Sequence, residues 1–197
     1  QHKAIHSCPT RRSSDLSAVV TAGRGGEVFW LDPGRCDWVT SPYYALAVPE
    51  WIDRSNDERY NLSYIASEWR PLLDRDRYVN TRNIRIGFPE KRGKRGKGRQ
   101  PEGGGPELAD DYERLLYTPA GNTAVLGLAK QLIAQYKLGA DATPDLLCVC
   151  LDASRRISEA YGPESVEVED MYYRLDRDLA DFLTFVFAQV RDGNATV

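Results

Sequence analysis

The sequence predicts an α/β fold with a largely parallel sheet, and three patterns in its last third carry this prediction. Residues 123–138 place apolar side chains on one helical stripe, with Asn122 as the expected N-cap and Gly139 as the expected stop. Residues 145–151 (DLLCVCL) form a continuous apolar run, typical of a parallel strand buried on both faces. Residues 164–190 return to helical spacing. Helix, buried strand, loop and helix in this order indicate a parallel α/β unit.

The first third predicts a β-hairpin followed by a short helix. Two apolar runs at 18–20 and 28–31 flank the glycine-rich residues 23–26 (GRGG), which we interpret as a turn rather than a phosphate cradle, because no helix signal follows them. Residues 32–35 (DPGR) predict a second turn, and residues 36–40 alternate like the partner strand. Within that strand, Trp38 is expected on the buried face and Asp37 on the other. A helix is expected to begin at residues 49–52 (PEWI).

Residues 87–106 form a low-complexity insertion that is basic and rich in glycine. Six of the nine residues at 91–99 (KRGKRGKGR) are lysine or arginine, so a phosphate or nucleic-acid contact is one interpretation. The other, which we favour, is a solvated loop, because no aromatic residues alternate with these charges.

The composition of the 197 residues excludes several classes of protein. No stretch approaches the roughly 20 apolar residues of a membrane helix, so we expect no membrane span. A net charge of −3 argues against a specific nucleic-acid binder. Four cysteines without regular spacing do not predict a disulfide scaffold. The two histidines are His2 and His6, so imidazole chemistry would have to come from the first six residues.

Residues 9–16 (PTRRSSDL) resemble the translation of a common sequencing adapter in a shifted reading frame. We therefore expect residues 1–16 to be a non-native leader that includes His2, His6 and Cys8. The alternative is a genuine polar terminus. The closing residues 191–197 (RDGNATV) give a turn signal and then the beginning of a strand, so we expect a fragment truncated at both ends.

Three motifs resemble the alkaline phosphatase superfamily, in particular bacterial single-chain alkaline phosphatases and the type I phosphodiesterase–nucleotide pyrophosphatase group. They are residues 117–123 (YTPAGNT), the run LLCVCL at 146–151, and residues 161–170 (YGPESVEVED) before a long amphipathic helix. The resemblance is close over 108–192 and looser over 17–90. It implies a three-layer α/β sandwich in which 17–107 is an insertion or cap region and 108–197 is part of the core.

This resemblance implies two zinc ions and a threonine or serine nucleophile that lies upstream, so no catalytic residue is expected within this chain. One zinc-binding Asp and His of the family should fall in the loop at 152–163, where ligands of parallel sheets bind. Anchored on residues 161–163 (YGP), those positions are occupied by Arg155 and Glu159. Asp152 is a weak candidate ligand, and a structural carboxylate at the end of the strand is the preferred interpretation. The resemblance thus implies a family scaffold with one metal site lost.

Other chemical groups have structural interpretations. Cys148 and Cys150 are expected in the core. Arg155 and Arg156 could grip an anion, with a surface role as the alternative. Two sets of acidic residues are assigned to the last helix. Those expected to complement the helix dipole in its first turns are Glu164, Glu167, Glu169 and Asp170. Those expected to mark its solvated face are Asp176, Asp178 and Asp181.

Two functional hypotheses follow from the resemblance. The first is a zinc-dependent phosphomonoesterase or phosphodiesterase that acts on small phosphate esters in the periplasm or outside the cytoplasm. The second is a catalytically silent relative that keeps the fold and binds an anionic ligand or a partner. Arg155 and Glu159 favour the second, and an intact Asp and His would favour the first. A third and more distant hypothesis is nucleic-acid binding through residues 91–99.

Overall fold

A computed structural model describes residues 22, 26–32, 34–65, 69–79, 115–190 and 195–197. These residues form a β-hairpin and five α-helices: β1 (Trp30–Asp32), β2 (Asp37–Val39), α1 (Glu50–Asp57), α2 (Leu62–Ile65), α3 (Pro119–Tyr136), α4 (Ala153–Tyr161) and α5 (Val166–Gln189). A single 3₁₀ turn at Arg75–Arg77 lies between α2 and α3. Residues 1–16 and 87–106 lie outside the described residues, so the leader and the basic loop stay predictions. None of the described helices is both long enough and apolar enough to cross a membrane.

The predicted pairing of the run at 28–31 with the strand at 36–40 is confirmed, whereas the run at 18–20 and most of the turn at 23–26 lie outside the described residues. The strands pair antiparallel with Leu31 opposite Trp38, and both of these side chains are buried. The turn is closed by Asp32, whose Oδ1 accepts a hydrogen bond from Gly34 N at 2.8 Å. On the outer edge of β2, the side-chain amide of Asn56 donates to Trp38 O at 2.9 Å and accepts from Trp38 N at 2.8 Å. Asn56 thus occupies the hydrogen-bonding edge that a third strand would take.

Helix α3 begins earlier than the sequence predicts. Its first residue is Pro119, which suits the first turn because that position needs no N–H donor, and Thr118 is the N-cap. The prediction that Asn122 caps this helix is therefore wrong, since Asn122 lies buried inside the first turn. The helix ends as expected before Gly139, through Lys137 in the left-handed conformation at φ 52°.

Helix α5 confirms the predicted helix at 164–190. Its N-cap is Ser165, whose Oγ accepts a hydrogen bond from Val168 N at 3.2 Å. Helix α3 packs along α5, and α4 packs against both of them. The main core joins α3 and α5 to the hairpin and α1, and it includes Leu31, Trp38, Ile52 and Phe182. Residues on both sides of the predicted boundary at 107 therefore share one core, and the boundary itself stays a prediction.

The run at 145–151 has no ladder partner in the part of the chain that the structure describes. The sheet formed there is two-stranded and antiparallel, so the parallel sheet and its three layers stay predictions. The run nevertheless alternates with a period of two residues. Leu147, Val149 and Leu151 pack against the main core, whereas Leu146 is 50% exposed. Burial on both faces is therefore not observed. Residues 195–197 likewise lie outside any ladder.

The predicted loop at 152–163 is wrong over most of its length, because residues 153–161 form helix α4. Its buried apolar residues Ala153, Ile157 and Tyr161 recur every fourth position and so share one face. That face packs against Val168 and Met171 of α5 and forms a second, smaller core. The segment therefore gains more burial as a helix than it could as an irregular loop.

Candidate functional site

The residues at the expected metal-ligand positions are bound to one another. Arg155 Nε and Nη2 donate to Asp152 Oδ1 and Oδ2, each at 2.8 Å, which makes the pair bidentate. Arg155 Nη1 donates to Glu159 Oε1 at 2.6 Å. Helical geometry explains the contacts, because residues three and four apart are neighbours on the helix surface. We call Asp152, Arg155, Arg156 and Glu159 the arginine–carboxylate cluster.

Arg156 is the buried arginine of the cluster and also contacts Asp152. Its Nε donates to Asp152 Oδ2 at 3.1 Å, and its guanidinium lies 5.5 Å from the centroid of the Tyr117 ring. Arg156 is only 7% exposed, and Asp152 compensates its charge. The hydrogen bonds to Asp152 are the largest cause that raises the pKa of Arg155 above its ordinary value, and burial acts in the opposite direction. The cluster contains two positive and two negative charges and is therefore neutral.

The residues of the cluster do not fit a zinc site. Zinc prefers histidine, thiolate and carboxylate ligands with free lone pairs, and the described residues contain no histidine. Both carboxylates already accept hydrogen bonds from a guanidinium, and a metal ion would place a second cation beside Arg155. Across the described parts of the chain, no group of three or more histidine, cysteine, aspartate or glutamate side chains could hold a metal ion.

Asn122 ties the beginning of α4 to α3. Its Oδ1 accepts from Ala153 N at 3.2 Å, and its Nδ2 is buried without a partner. At Gly121, a Cβ would lie 2.8 Å from Leu115 O, so no larger residue fits at this junction. The motif at 117–123 therefore positions α4 and with it the arginine–carboxylate cluster. Sequence reasoning assigned Asn122 to a cap, and helical periodicity carries no signal for this cross-helix contact.

Asp170 is the most heavily hydrogen-bonded carboxylate in the described residues. It is fully buried, and its four donors come from both α5 and the segment at 69–79. Oδ1 accepts from Leu72 N at 2.6 Å and from the Tyr78 hydroxyl at 2.5 Å. Oδ2 accepts from Trp69 Nε1 at 2.6 Å and from Arg174 Nε at 2.7 Å. We call these five residues the Asp170 clamp. Asp170 lies near the N-terminus of α5, where the sequence placed it, and its complete burial also makes it an anchor for another segment.

Two further hydrogen bonds join the segment at 69–79 to α5 beside the Asp170 clamp. Glu169 Oε1 accepts from Val79 N at 3.0 Å, and Arg174 Nη2 donates to Arg70 O at 2.5 Å. Burial, followed by the hydrogen bond to Asp170, raises the pKa of Tyr78 to about 12, so this phenol stays protonated and donates at neutral pH. The segment at 69–79 is thereby fixed against the first turns of α5.

Glu167 differs from its neighbours because its burial is only partly compensated. It is 1% exposed, and its Oε1 has no hydrogen-bond partner among the described residues, although a hydrogen bond from the backbone of Glu167 itself acts to lower its pKa. Burial raises its pKa to about 6, and the nearby Asp170 charge acts in the same direction. Glu167 and Glu169 do lie in the first turn of α5, where the sequence placed them to complement the dipole.

The other predicted groups have structural partners. Cys148 and Cys150 are partly buried in the extended run. The solvated face assigned to α5 is only partly correct, because Asp178 accepts from Thr123 Oγ1 of α3 at 2.6 Å and is partly buried. Asp181 forms an ion pair with Lys130 of α3, and Asp176 is exposed.

Sequence comparison finds relatives along nearly the whole chain. It is 33% identical over 188 residues to alkaline phosphatase PafA of Elizabethkingia meningoseptica, a match that covers 93% of this chain and 34% of that protein. It is 28% identical over 186 residues to alkaline phosphatase PhoV of Synechococcus elongatus, which covers 91% of this chain and 33% of that protein. A protein named calcium-transporting ATPase in Myroides odoratus is 32% identical over 187 residues, covering 93% of this chain and 34% of that protein. The chain thus spans about a third of the length of these relatives.

Structural comparison agrees with the sequence. The fold matches the crystal structure of wild-type PafA with a TM-score of 0.79 at 30% identity, covering 98% of this chain and 37% of that one. No model of a known protein family matches the chain. Both comparisons identify alkaline phosphatases, as the motifs at 117–123 and 161–170 predict. The chain belongs to the alkaline phosphatase superfamily.

Proposed function

We propose that this chain is part of a phosphate-ester hydrolase that acts on small phosphomonoesters or phosphodiesters outside the cytoplasm. The observation that carries the proposal is the match to alkaline phosphatase PafA, which extends in sequence and in fold over almost every residue of the chain. Hydrolysis in this superfamily is expected to use zinc as a Lewis acid that stabilises charge on the phosphoryl oxygens. The nucleophile is proposed to lie outside this chain.

We also propose that one of the family's metal sites is replaced here by the arginine–carboxylate cluster. Arg155 occupies the position of the expected aspartate ligand and supplies a fixed positive charge. Its bidentate pair with Asp152 and its bond to Glu159 satisfy both carboxylates without a metal ion. Helix α4 thus has local ion pairs where a pair of metal ligands is expected. It still packs on α5 through Ile157.

A catalytically silent relative that binds an anionic ligand is the second candidate. The observation that favours it is the pair of adjacent guanidinium groups of Arg155 and Arg156 at the end of the extended run. Both groups are neutralised by Asp152 and Glu159, so an anion would have to compete with these carboxylates. Phosphate binding that is lost in Arg155→Gln, together with an absence of hydrolysis, would favour this candidate over an active hydrolase.

The test restores the expected ligand types. We expect the wild-type chain to bind substoichiometric zinc at neutral pH. The double variant Arg155→Asp/Glu159→His should bind zinc at least tenfold more tightly, because it replaces a cation with a carboxylate ligand and a glutamate with an imidazole ligand. The matched control Arg177→Asp/Glu164→His makes the same chemical changes elsewhere on the surface and should leave zinc binding at the wild-type level.

Metal content and phosphate release from an aryl phosphate are measured on all three proteins. Stoichiometric zinc in the wild-type chain would contradict the loss of the metal site. A full-length protein that contains this chain and shows no phosphate release under zinc saturation would contradict the hydrolase proposal. The two proposals therefore fail on different readouts.

A further inference from the structure

A groove between β2, the loop at 40–48 and helix α1 lies apart from α4 and is not used by the proposed function. Its volume is about 530 Å³, within the range of ligand-binding clefts. Its apolar surface comes from the loop and from β2. We call it the hairpin groove, and its apolar lining residues are Trp38, Val39, Pro42, Ala45, Leu46, Ala47 and Val48.

The charges that line the hairpin groove are predominantly negative. Four aspartates line it against two arginines, Arg35 and Arg59, which leaves an excess of two negative charges; the aspartates are Asp32, Asp37, Asp53 and Asp57. Arg59 lies 3.8 Å from Asp37 Oδ1. In the described part of the chain, no ion pair is formed by the two aspartates of α1.

Asp53 and Asp57 are one helical turn apart on the same face of α1. Like charges at this spacing repel and destabilise a helix by a few tenths of a kcal/mol. Burial, opposed by the two arginines, raises the pKa of Asp37, and the charges of Asp32 and Asp57 contribute in the same direction. The groove therefore has a negative potential that its own arginines do not cancel.

The apolar rim of the groove is open to solvent. Leu46 is 96% exposed and the neighbouring Tyr43 is 66% exposed. Thr40 Oγ1, also in the lining, is buried without a hydrogen-bond partner. An exposed tyrosine is typical of surfaces that bind another polypeptide.

We propose that the hairpin groove binds an extended, lysine- or arginine-containing peptide segment of a partner protein. Charge complementarity selects this occupant, because two uncompensated carboxylates on α1 face a cleft whose opposite wall is apolar. The basic side chains of such a segment reach Asp53 and Asp57, and its apolar side chains lie against Leu46 and Val48. The edge of β2 is already bonded to Asn56, so binding occurs through side chains rather than by addition of a strand.

The test uses a fluorescently labelled short peptide of alternating lysine and leucine. We expect the wild-type chain to bind it with an affinity that falls as salt rises. The variant Asp53→Asn/Asp57→Asn should bind roughly tenfold more weakly. The matched control Glu50→Gln/Glu58→Gln removes the same charge from the two ends of α1 outside the groove, Glu58 being its C-cap, and should bind within about twofold of wild type.

A second variant, Leu46→Ser, tests the apolar side of the groove. Because the Leu46 side chain is exposed, we expect this variant to fold normally. It should weaken the lysine–leucine peptide severalfold without changing the salt dependence. Equal losses in the groove variant and its control would overturn the proposal, because they would indicate attraction to net charge alone. Binding of spermine but not of the peptide would overturn it in favour of a small-polyamine site. No binding of the peptide to the wild-type chain would also overturn it.

Discussion

Two groups of charged residues in this molecule show how differently a carboxylate can be used. The arginine–carboxylate cluster is local in sequence and exposed on its outer side, where the side chains of Arg155 and Glu159 are 44% and 61% exposed, whereas Asp152 and Arg156 are largely buried. The Asp170 clamp joins positions about 100 residues apart around a carboxylate with no solvent exposure. Water screens the first group and is excluded from the second. The two groups should therefore contribute very unequally to stability.

The largest effect is expected for Asp170→Asn. The amide keeps the size of the side chain but loses the charge and two acceptor sites, so at least one of the donors Trp69, Leu72 and Tyr78 is left buried and unpaired. We expect a loss of about 3–5 kcal/mol in the free energy of unfolding, measured by urea denaturation. The control Asp181→Asn, on an exposed acid of the same helix, should change it by less than about 1 kcal/mol. Equal losses of unfolding free energy in Asp170→Asn and Asp181→Asn would contradict the view that burial makes Asp170 more important for stability than an exposed acid.

The variant Glu167→Gln tests how a buried carboxylate affects stability when it lacks a hydrogen bond. Glu167 is buried, and its Oε1 has no hydrogen-bond partner among the described residues. Its folded pKa of about 6 lies above the ordinary 4.5, so the folded state binds the proton more tightly and loses stability as pH rises through this interval. The amide does not titrate. We therefore expect Glu167→Gln to be more stable than wild type above pH 6 by roughly 1–2 kcal/mol, and the difference to disappear below pH 4.5.

The measurement for Glu167 is the midpoint of thermal unfolding across this pH range. Glu164→Gln, which changes an exposed acid just before the helix in the same way, is the matched control. A Glu167→Gln variant that is less stable than wild type at all pH values would show that this carboxylate has a bonding partner that the geometry does not indicate.

The variant Ser165→Ala tests the effect of a buried hydrogen bond between near neighbours in the sequence. The Ser165 side chain is buried, and its hydroxyl accepts a hydrogen bond from Val168 N, three residues along the chain. Loss of this cap leaves Val168 N without its acceptor, and we expect a cost of about 1 kcal/mol by urea denaturation. Ser165→Thr keeps the hydroxyl and should recover most of the loss. Failure of threonine to recover it would mean that packing at this site, and not the cap, is what alanine removes.

The smallest effect is expected for Arg155→Ala. Its ion pairs are exposed and local, and Arg156 still compensates Asp152, so the free energy of unfolding should fall by less than about 1 kcal/mol, and the loss should shrink in high salt. The same denaturation experiment at low and high salt checks this. A loss as large as that of Asp170→Asn would mean that the cluster is a structural centre and would remove the distinction between the two groups.

The sequence predicted the elements whose patterns are local. The hairpin around Trp38 follows from alternation and turn residues, and α5 follows from its apolar spacing. It does not predict α4, because the recurrence of Ala153, Ile157 and Tyr161 every fourth residue is too short a pattern to distinguish a helix from a loop. The acidic residues before and within α5 look alike in sequence, and nothing local distinguishes Asp170 from Glu164.

By itself the sequence determined the family, through the motifs at 117–123 and 161–170, and the identity of the residues at the expected ligand positions. Only the tertiary structure decided how these residues are used. Helix α4 brings Arg155 onto Asp152 and Glu159, and packing of residues 69–79 on α5 buries Asp170 beneath Trp69 and Tyr78. The physical reason is that periodicity encodes contacts between near neighbours, whereas burial of a carboxylate depends on which distant segment covers it.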